Sequence, residues 1–462
     1  MKYSKTGRRE FLKNSIKTAI GMPLAASIPT IVPSSVFGKY APSNRINIAA
    51  IGNGRISRIH DIPGIWQYPQ ARLVAVCDVD QQRALDAKTL IDQEYSRQEG
   101  KAYDGVKVYH DYRTLMMNKD IDAVLISTPD HSHAMIAMAA ANAGKHIYLQ
   151  KPASLTIKEG RIMTDLVQRS GVKFQIGSQQ RSQEQFRYEA ELVRNGRIGK
   201  LKNVYVGLPV DPSGGNTNAM EIPASFNYDM WLGTTPAVYY TEDRVHPQKS
   251  YDRPGWLRCE QFGSGMITGW GAHHIDSAHW AMGMEHSGPI KLWGNAAFPK
   301  KGLWDVHGAF TTYATYSDGV TMTVSSDFQN GIRFEGTEGW IFVSRGDYQV
   351  TASDPNSASV PAKKLDASNL SVLQSVIGPN EIHLPISKEH HWNWLESILE
   401  NKTPIAPAED AHRACSACLL HHIAMKLGRK LFWNPTTEQF LDDDEADAML
   451  SRPQRSAYSI NG

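Results

Sequence analysis

This sequence predicts an α/β fold in two parts, a doubly wound parallel sheet followed by an α+β domain on an antiparallel or mixed sheet. Three observations point to it. Strand-like and helix-like stretches alternate between residues 45 and 176. Beyond about residue 200, strands succeed one another with few helices between them. The chain has 462 residues, too many for one ordinary core and enough for two domains of roughly 150–250 residues each. Its 41% hydrophobic and 21% charged residues are those of a folded globular protein. Basic and acidic side chains nearly cancel, 49 against 47, so charge gives no reason to expect a nucleic-acid partner.

The first forty residues stand apart. Lys2, Lys5, Arg8, Arg9 and Lys13 crowd the start, and a mildly apolar stretch runs from Ile16 to Val32, broken by Pro23 and Pro29. A charged head before an apolar middle is the layout of an export signal. The Arg8–Arg9 pair, followed by Phe11, Leu12 and Lys13, resembles a twin-arginine signal that departs from the usual pattern at Gly7. The expectation is a periplasmic or otherwise exported protein, with an uncleaved membrane anchor as the alternative. Past residue 40 no apolar run approaches the ~20 residues of a membrane span, so no stable span is expected in the mature chain.

Ala41–Asn44 reads as a linker. Arg45–Ile51, Leu73–Cys77, Val106–Tyr109, Ala123–Ser127, His146–Leu149 and Lys173–Ile176 then read as strands, with helices such as Gln81–Glu94 and His133–Asn142 between them. In the second half, Lys202–Val206, Ile290–Trp293, Phe310–Tyr316 and Val320–Ser325 read as strands. The last two flank the turn Ser317-Asp318-Gly319, and Ile332–Val343 reads as a second hairpin around Gly336–Gly339. Ala352–Asn380, rich in Ser, Pro and Ala, reads as a long loop, and helices return at His390–Glu400 and Asp410–Leu427. The four cysteines, Cys77, Cys259, Cys415 and Cys418, are expected to be free and mostly buried; one C-x-x-C is weak evidence for zinc.

The first strand runs straight into Gly52-Asn53-Gly54-Arg55-Ile56-Ser57, which puts Gly52 and Gly54 at the first two positions of G-x-G-x-x-G and Ser57 at the third. Gly52 permits a tight strand-to-helix turn, and Gly54 lets backbone amides approach a pyrophosphate at a helix N-terminus. Asp78, ending the second strand, can accept from both ribose hydroxyls and repels a 2′-phosphate. The cofactor expected is therefore NAD, with Asp80 and Arg83 nearby keeping NADP open. The dinucleotide would be held by a Rossmann-type turn.

Four further segments carry a family resemblance. They are Ser127-Thr128-Pro129-Asp130-His131-Ser132-His133, Tyr148-Leu149-Gln150-Lys151-Pro152, Met230-Trp231-Leu232-Gly233, and the stretch from Gly263 to Trp280. With the glycine turn and in this order, they resemble the glucose–fructose oxidoreductase / inositol dehydrogenase (Gfo/Idh/MocA) family. The resemblance implies a Rossmann domain over 44–175 and a substrate and oligomerisation domain over 176–440, built on a large, open, mostly antiparallel sheet. A late helix is expected to pack back on the first domain, residues 1–40 remain the signal and linker, and 441–462 form a tail. It also implies that Gly52, Asn53, Gly54, Arg55, Ile56, Asp78, Thr128, Pro129, His131, His133, Gln150 and Lys151 line the dinucleotide.

Gln150-Lys151-Pro152 matches the motif usually written E-K-P, so the resemblance sets Lys151 beside the nicotinamide and the reacting hydroxyl. The motif's glutamate is here a neutral Gln150. His273 matches the catalytic histidine, whose near-neutral pKa suits it to take a hydroxyl proton. Where relatives place an orienting aspartate four residues earlier, this chain has Gly269, and His274 or Asp276 are the residues expected to supply part of that interaction. Lys151, Arg258, His273, His274 and Asp276 are the expected substrate contacts, with Trp256 and Tyr228 as further pocket candidates. The family requires no metal, and none is expected from His273, His274 and His279. A homo-oligomer is expected, since exposed sheets in this family commonly pair.

The leading expectation is hydride transfer between the dinucleotide and a hydroxyl-bearing carbon of a sugar, glycoside or cyclitol, with a tightly held cofactor. Two others stand beside it: a glycosidase or lyase that oxidises its sugar transiently, and a non-catalytic sugar- or nucleotide-binding protein.

Overall fold

Short strands of continuously apolar residues cannot sit at a surface, and here helices cover them on both sides. The computed structural model describes residues 45–346 and 363–460, so the export signal expected over 1–40 lies outside the described residues. Six strands form the first sheet: β1 (Ile46–Ile51), β2 (Ala71–Cys77), β3 (Lys107–Tyr109), β4 (Ala123–Ile126), β5 (His146–Leu149) and β6 (Phe174–Ile176). Their order is β3-β2-β1-β4-β5-β6 and every pairing is parallel. The strand order reverses between β1 and β4, which opens a crevice at the carboxyl ends of those two strands.

The connections carry local reasons for their ends. Gly52-Asn53-Gly54 leads into a wide π turn, Ser57–Asp61, continued by helix α1 (Ile62–Trp66). Pro63 has no N–H to close an ordinary turn onto the Ile59 carbonyl, which favours the wider winding. Helix α2 (Gln81–Glu99) starts where the Asp80 carboxylate accepts from the Gln82 and Arg83 amides, and ends at Gly100 with φ 65°. Helix α3 (Asp130–Asn142) follows β4, and helix α4 (Ile157–Ser170) follows β5, capped by Thr156.

The second sheet has nine strands: β7 (Leu201–Gly207), β8 (Lys291–Ala296), β9 (Phe310–Thr315), β10 (Thr321–Ser325), β11 (Gly331–Gly336), β12 (Trp340–Val343), β13 (Leu365–Ala367), β14 (Leu431–Asn434) and β15 (Gln439–Phe440). The order is β13-β12-β11-β7-β10-β9-β8-β14-β15, antiparallel throughout except for β7 beside β10. Both expected hairpins form, β9–β10 and β11–β12. Inward residues such as Leu292, Ala314, Met322, Val204 and Phe334 are fully buried, and helices α5 (Gly271–Met282) and α7 (Ala408–Leu427) cover that face. One expectation is corrected. The described part of the supposed loop Ala352–Asn380 contains the edge strand β13 and a short helix, Leu370–Leu373. A three-residue edge strand, Leu-Asp-Ala, is too short to show an alternating pattern.

Helix α6 (His390–Glu400) packs on α1, and α7 packs on α4, so late helices fasten to the first sheet's layer. The end of the chain is tied down as well. Arg452 donates to Glu159 (2.9 Å) and to Thr234 Oγ1 (2.6 Å), and Arg455 to the Gly233 carbonyl (2.9 Å). All four cysteines are free and buried. No helix among the described residues is long and apolar enough to cross a membrane.

Candidate active site

The glycine turn is built for close approach. Gly52 has φ +80°, and a Cβ there would meet Thr128 atoms at 2.8 Å, so no other residue fits without displacing β4's end. At Gly54 a Cβ would find nothing nearer than Arg83 Nη1 at 3.9 Å, so this backbone borders open space. Asp78 is held across from it: its Oδ2 accepts from the Asn53 amide (2.7 Å) and its Oδ1 from the Asp80 amide (3.0 Å). Burial raises the Asp78 carboxyl despite these bonds.

One cleft joins these groups to the expected chemistry. Its walls include Gly52, Gly54 and Asp78 at one end and Gln150, Lys151 and His273 at the other. Arg55, Ile56, Thr128 and Pro129 also face it. Lys151 Nζ donates to the Gly269 carbonyl at 2.6 Å, so the backbone of Gly269 meets the lysine where a side chain was expected to meet His273. His273 is 2% exposed, and neither of its ring nitrogens has a hydrogen-bond partner among the described residues. Burial drives its pKa well below the ordinary value, and the charges of Arg345 and Lys151 push the same way. A buried, neutral imidazole with two unpartnered nitrogens at a cleft is a group waiting for a ligand. A glycine turn able to take an anion, a carboxylate at the end of β2 and this imidazole in one cleft fit a dinucleotide.

Several expected contacts do not face the cleft. Asn53 is fully buried, and its side chain donates to the Cys77 carbonyl (2.9 Å) to brace the turn. His131 Nε2 lies 2.7 Å from the Trp231 carbonyl; the ring nitrogens of His133 lie 2.6 Å and 2.8 Å from the Pro152 and Thr128 carbonyls. Both histidines fasten the loops that line the cleft. On α5 only His273 points into it. His274 lies between Gln180 and Asn330 Oδ1 (2.7 Å). Asp276 is 0% exposed and is bound by Arg181 at 2.7 Å and 2.9 Å. A buried carboxylate needs a partner, and the Arg181 guanidinium supplies it. Arg258 lies 3.5 Å from Asp211 and stacks 4.3 Å over Trp304, while its neighbours Trp256 and Leu257 line the cleft. Tyr228 packs among Phe226, Trp231 and Tyr240.

Other groups at the cleft escaped the sequence reading. Asp130, inside the quoted Thr-Pro-Asp-His string, lines the cleft; burial pushes its carboxyl up to about 8 against the charge of Lys151. Asp61, from the π turn, accepts from Ser127 Oγ (2.7 Å) and Gln150 Nε2 (2.8 Å), with His60 Nδ1 at 3.1 Å and His391 Nε2 at 3.2 Å. Burial would raise its carboxyl, but hydrogen bonds to His391 and His60 hold it well below the usual range. His391, buried between Asp61 and Glu389, is raised to about 9 because those two bonds outweigh burial. At the Asp78 end, residues 246–254 reach over from the second half of the chain. Arg83 Nη2 donates to the Pro247 (2.8 Å) and Ser250 (3.1 Å) carbonyls. Tyr251 donates to Asp86 (2.8 Å), its ring 4.3 Å and 4.6 Å from the Arg58 and Arg83 guanidinium groups. His246, Asp252 and Pro254 of this strap line the cleft. Only a signal linking residues about 165 apart in sequence could have found it, and a single sequence carries none.

Parallel sheet, glycine turn and second-domain wall together define a dinucleotide-binding protein of the Rossmann class with an appended α/β domain. More narrowly, the chain belongs to the Gfo/Idh/MocA oxidoreductase family. Residues 46–178 match its NAD-binding Rossmann-fold domain and residues 212–460 its C-terminal alpha/beta domain. It is 30% identical over 155 residues to the myo-inositol 2-dehydrogenase of Thermotoga maritima, covering 34% of this chain and 42% of that protein. It is 33% identical over 164 residues to glycosyl hydrolase family 109 protein 2 of Shewanella sp. strain ANA-3, covering 33% and 35%. The chain thus spans half or less of the length of these curated relatives. Among solved structures it resembles the aldose–aldose oxidoreductase of Caulobacter crescentus. That match has a TM-score of 0.56 and 19% identity, and covers 84% of this chain and 99% of the other.

Proposed function

We propose that this protein is an NAD-dependent oxidoreductase that moves hydride to or from a hydroxyl-bearing carbon of a sugar, glycoside or cyclitol. The observation that carries the reading is the sharing of one cleft by the Gly52–Gly54 turn, Asp78, Lys151 and His273. The dinucleotide, when bound, supplies the hydride acceptor. His273 is neutral in its buried site and takes the hydroxyl proton on a ring nitrogen. Lys151, fixed by the Gly269 carbonyl, presents its charge to the same oxygen. The name of the Thermotoga relative supports a polyol-type substrate.

Asp78 favours NAD over NADP, and the Arg83 guanidinium, the nearest candidate for a 2′-phosphate, is already engaged by two carbonyls. The strap over the Asp78 end supports a cofactor that stays bound. An exported enzyme finds little free dinucleotide, so a resident cofactor would be reduced by one substrate and reoxidised by another; the Arg8–Arg9 head supports such export of a folded, loaded protein. The test is nucleotide content and hydride transfer. Protein purified with its signal and no added nucleotide should release NAD on denaturation, and a panel of sugars and polyols should change its nicotinamide absorbance. Purified protein that neither holds nor binds NAD(P) would refute the proposal.

A second reading has its own support. Asp130 lines the cleft and burial raises its carboxyl, which suits it to hand a proton to a departing glycosidic oxygen. The Shewanella relative is named as a glycosyl hydrolase. Release of aglycone from a model glycoside with no net absorbance change at the nicotinamide would favour this chemistry.

A further inference from the structure

The buried charge beneath Gln150 limits what residue 150 can be. Asp61 is 0% exposed and its carboxylate is surrounded by donors: Ser127, Gln150, His60 and His391. His391 is itself set between Asp61 and Glu389 Oε1 (3.1 Å) and stacks 4.7 Å from the Tyr148 ring. An ionised carboxylate only accepts, so the Gln150 amide must turn its NH₂ group toward Asp61. The amide oxygen is thereby left on the other side, near Gly177, where a Cβ would come within 2.9 Å of it. Gln150 lines the cleft and immediately precedes Lys151.

We propose that Asp61 is a positioning residue that acts through Gln150: the pair fixes the amide so that the cleft receives a hydrogen-bond acceptor next to Lys151, suited to an N–H or O–H donor of the bound dinucleotide or substrate. A glutamate at 150 would set two buried carboxylates against each other, and one of them would have to hold a proton. His60, Asp61 and His391 also bring three metal-ligand atoms within 4.8 Å of one another. A cation is disfavoured there, because the Gln150 NH₂ group lies 2.8 Å from the same Asp61 oxygen that it would need.

The proposal rests on this cleft being the cofactor site, and its test does not need activity. Thermal stability and NAD affinity would be measured for Q150E, Q150M, D61N and the exchanged D61N/Q150E variant between pH 5 and pH 8. At pH 8 Q150E should melt several degrees below Q150M and bind NAD at least about tenfold more weakly than the parent. Both deficits should shrink as pH falls and the carboxylate pair takes up a proton, a signature that Q150M cannot show. The exchanged variant should recover most of the Q150E loss. Deficits in Q150E and D61N that simply add, or a Q150E deficit equal to Q150M's at every pH, would overturn the proposal even if D61N alone does not fold. Stoichiometric Co²⁺ binding abolished by H391A would overturn it too. A parent that binds no NAD would sink the cofactor reading while leaving the stability comparison to decide the pair.

Discussion

His273 and Lys151 reach the cleft from different halves of the chain, and the state of each is set by what surrounds it. His273 owes its low pKa to burial first and to the charges of Arg345 and Lys151 next. The acid limb of the pH–rate profile should therefore lie below the ordinary histidine range. Position 269 has room for a side chain, since a Cβ there meets only Met266 Sδ at 3.7 Å. A carboxylate at that position would favour the imidazolium, so G269D should move the acid limb upward. H273A should lower kcat by about 10²–10⁴-fold while NAD still binds. His391 gives a stability prediction of opposite sign. Its pKa is raised to about 9, so its contribution is complete below the unfolded value near 6.5 and is lost as pH rises toward 9. The advantage of the parent over H391Q in denaturant unfolding should thus shrink on the order of 3 kcal/mol across that interval. The glycine turn, Asp78, Lys151 and His273 were legible in the sequence because each belongs to a local string. Asp61 and His391 were not, since their partnership spans most of the chain.

Among the elements, helix α5 shows how a motif can mislead. Its first turn delivers His273 to the cleft, and its next turn delivers Asp276 to Arg181 instead of to a substrate. Arg181 follows β6 and also binds Asp410 Oδ2 (2.7 Å) and the Ile405 carbonyl (3.1 Å), so one guanidinium joins the end of the parallel sheet to α5 and α7. Removing it leaves two carboxylates buried without their cation. R181M should cost about 3–5 kcal/mol, and D276N less, because the amide can still accept from the arginine. Urea unfolding of the two variants checks the order. Strand and hairpin positions were legible because period-two alternation and turn residues are local signals. The nine-strand order was not, because β7 pairs with β10 and β14 with β8 across long stretches of chain.

At the scale of the whole molecule, the helices α5 and α7 pack on one face of the second sheet, and the other face carries half-buried side chains among the described residues. Register carries a row across it: Trp293 beside Tyr313, then Thr323, Tyr205, Arg333 and Phe342. Trp293 and Tyr313 stack at 5.1 Å, and these residues are half-buried. An aromatic row on an open sheet is apolar surface of the kind that covers itself in an oligomer. A homodimer across this face is the expected assembly, and Y205E or Y313E should lower the mass seen in sedimentation to that of one chain without lowering the melting temperature of the parallel-sheet half. An unchanged mass would rule out a homodimer across this face.

In the proposed enzyme one cleft presents the glycine turn to a pyrophosphate and Lys151 with His273 to the redox ring. A crystal structure of the protein with NAD tests it most directly. The pyrophosphate should lie against the Gly52–Gly54 backbone, the adenine ribose on Asp78, and the nicotinamide C4 carbon between Lys151 Nζ and a ring nitrogen of His273. A nicotinamide ring lodged away from both side chains, or a cleft left empty at saturating NAD, would contradict it.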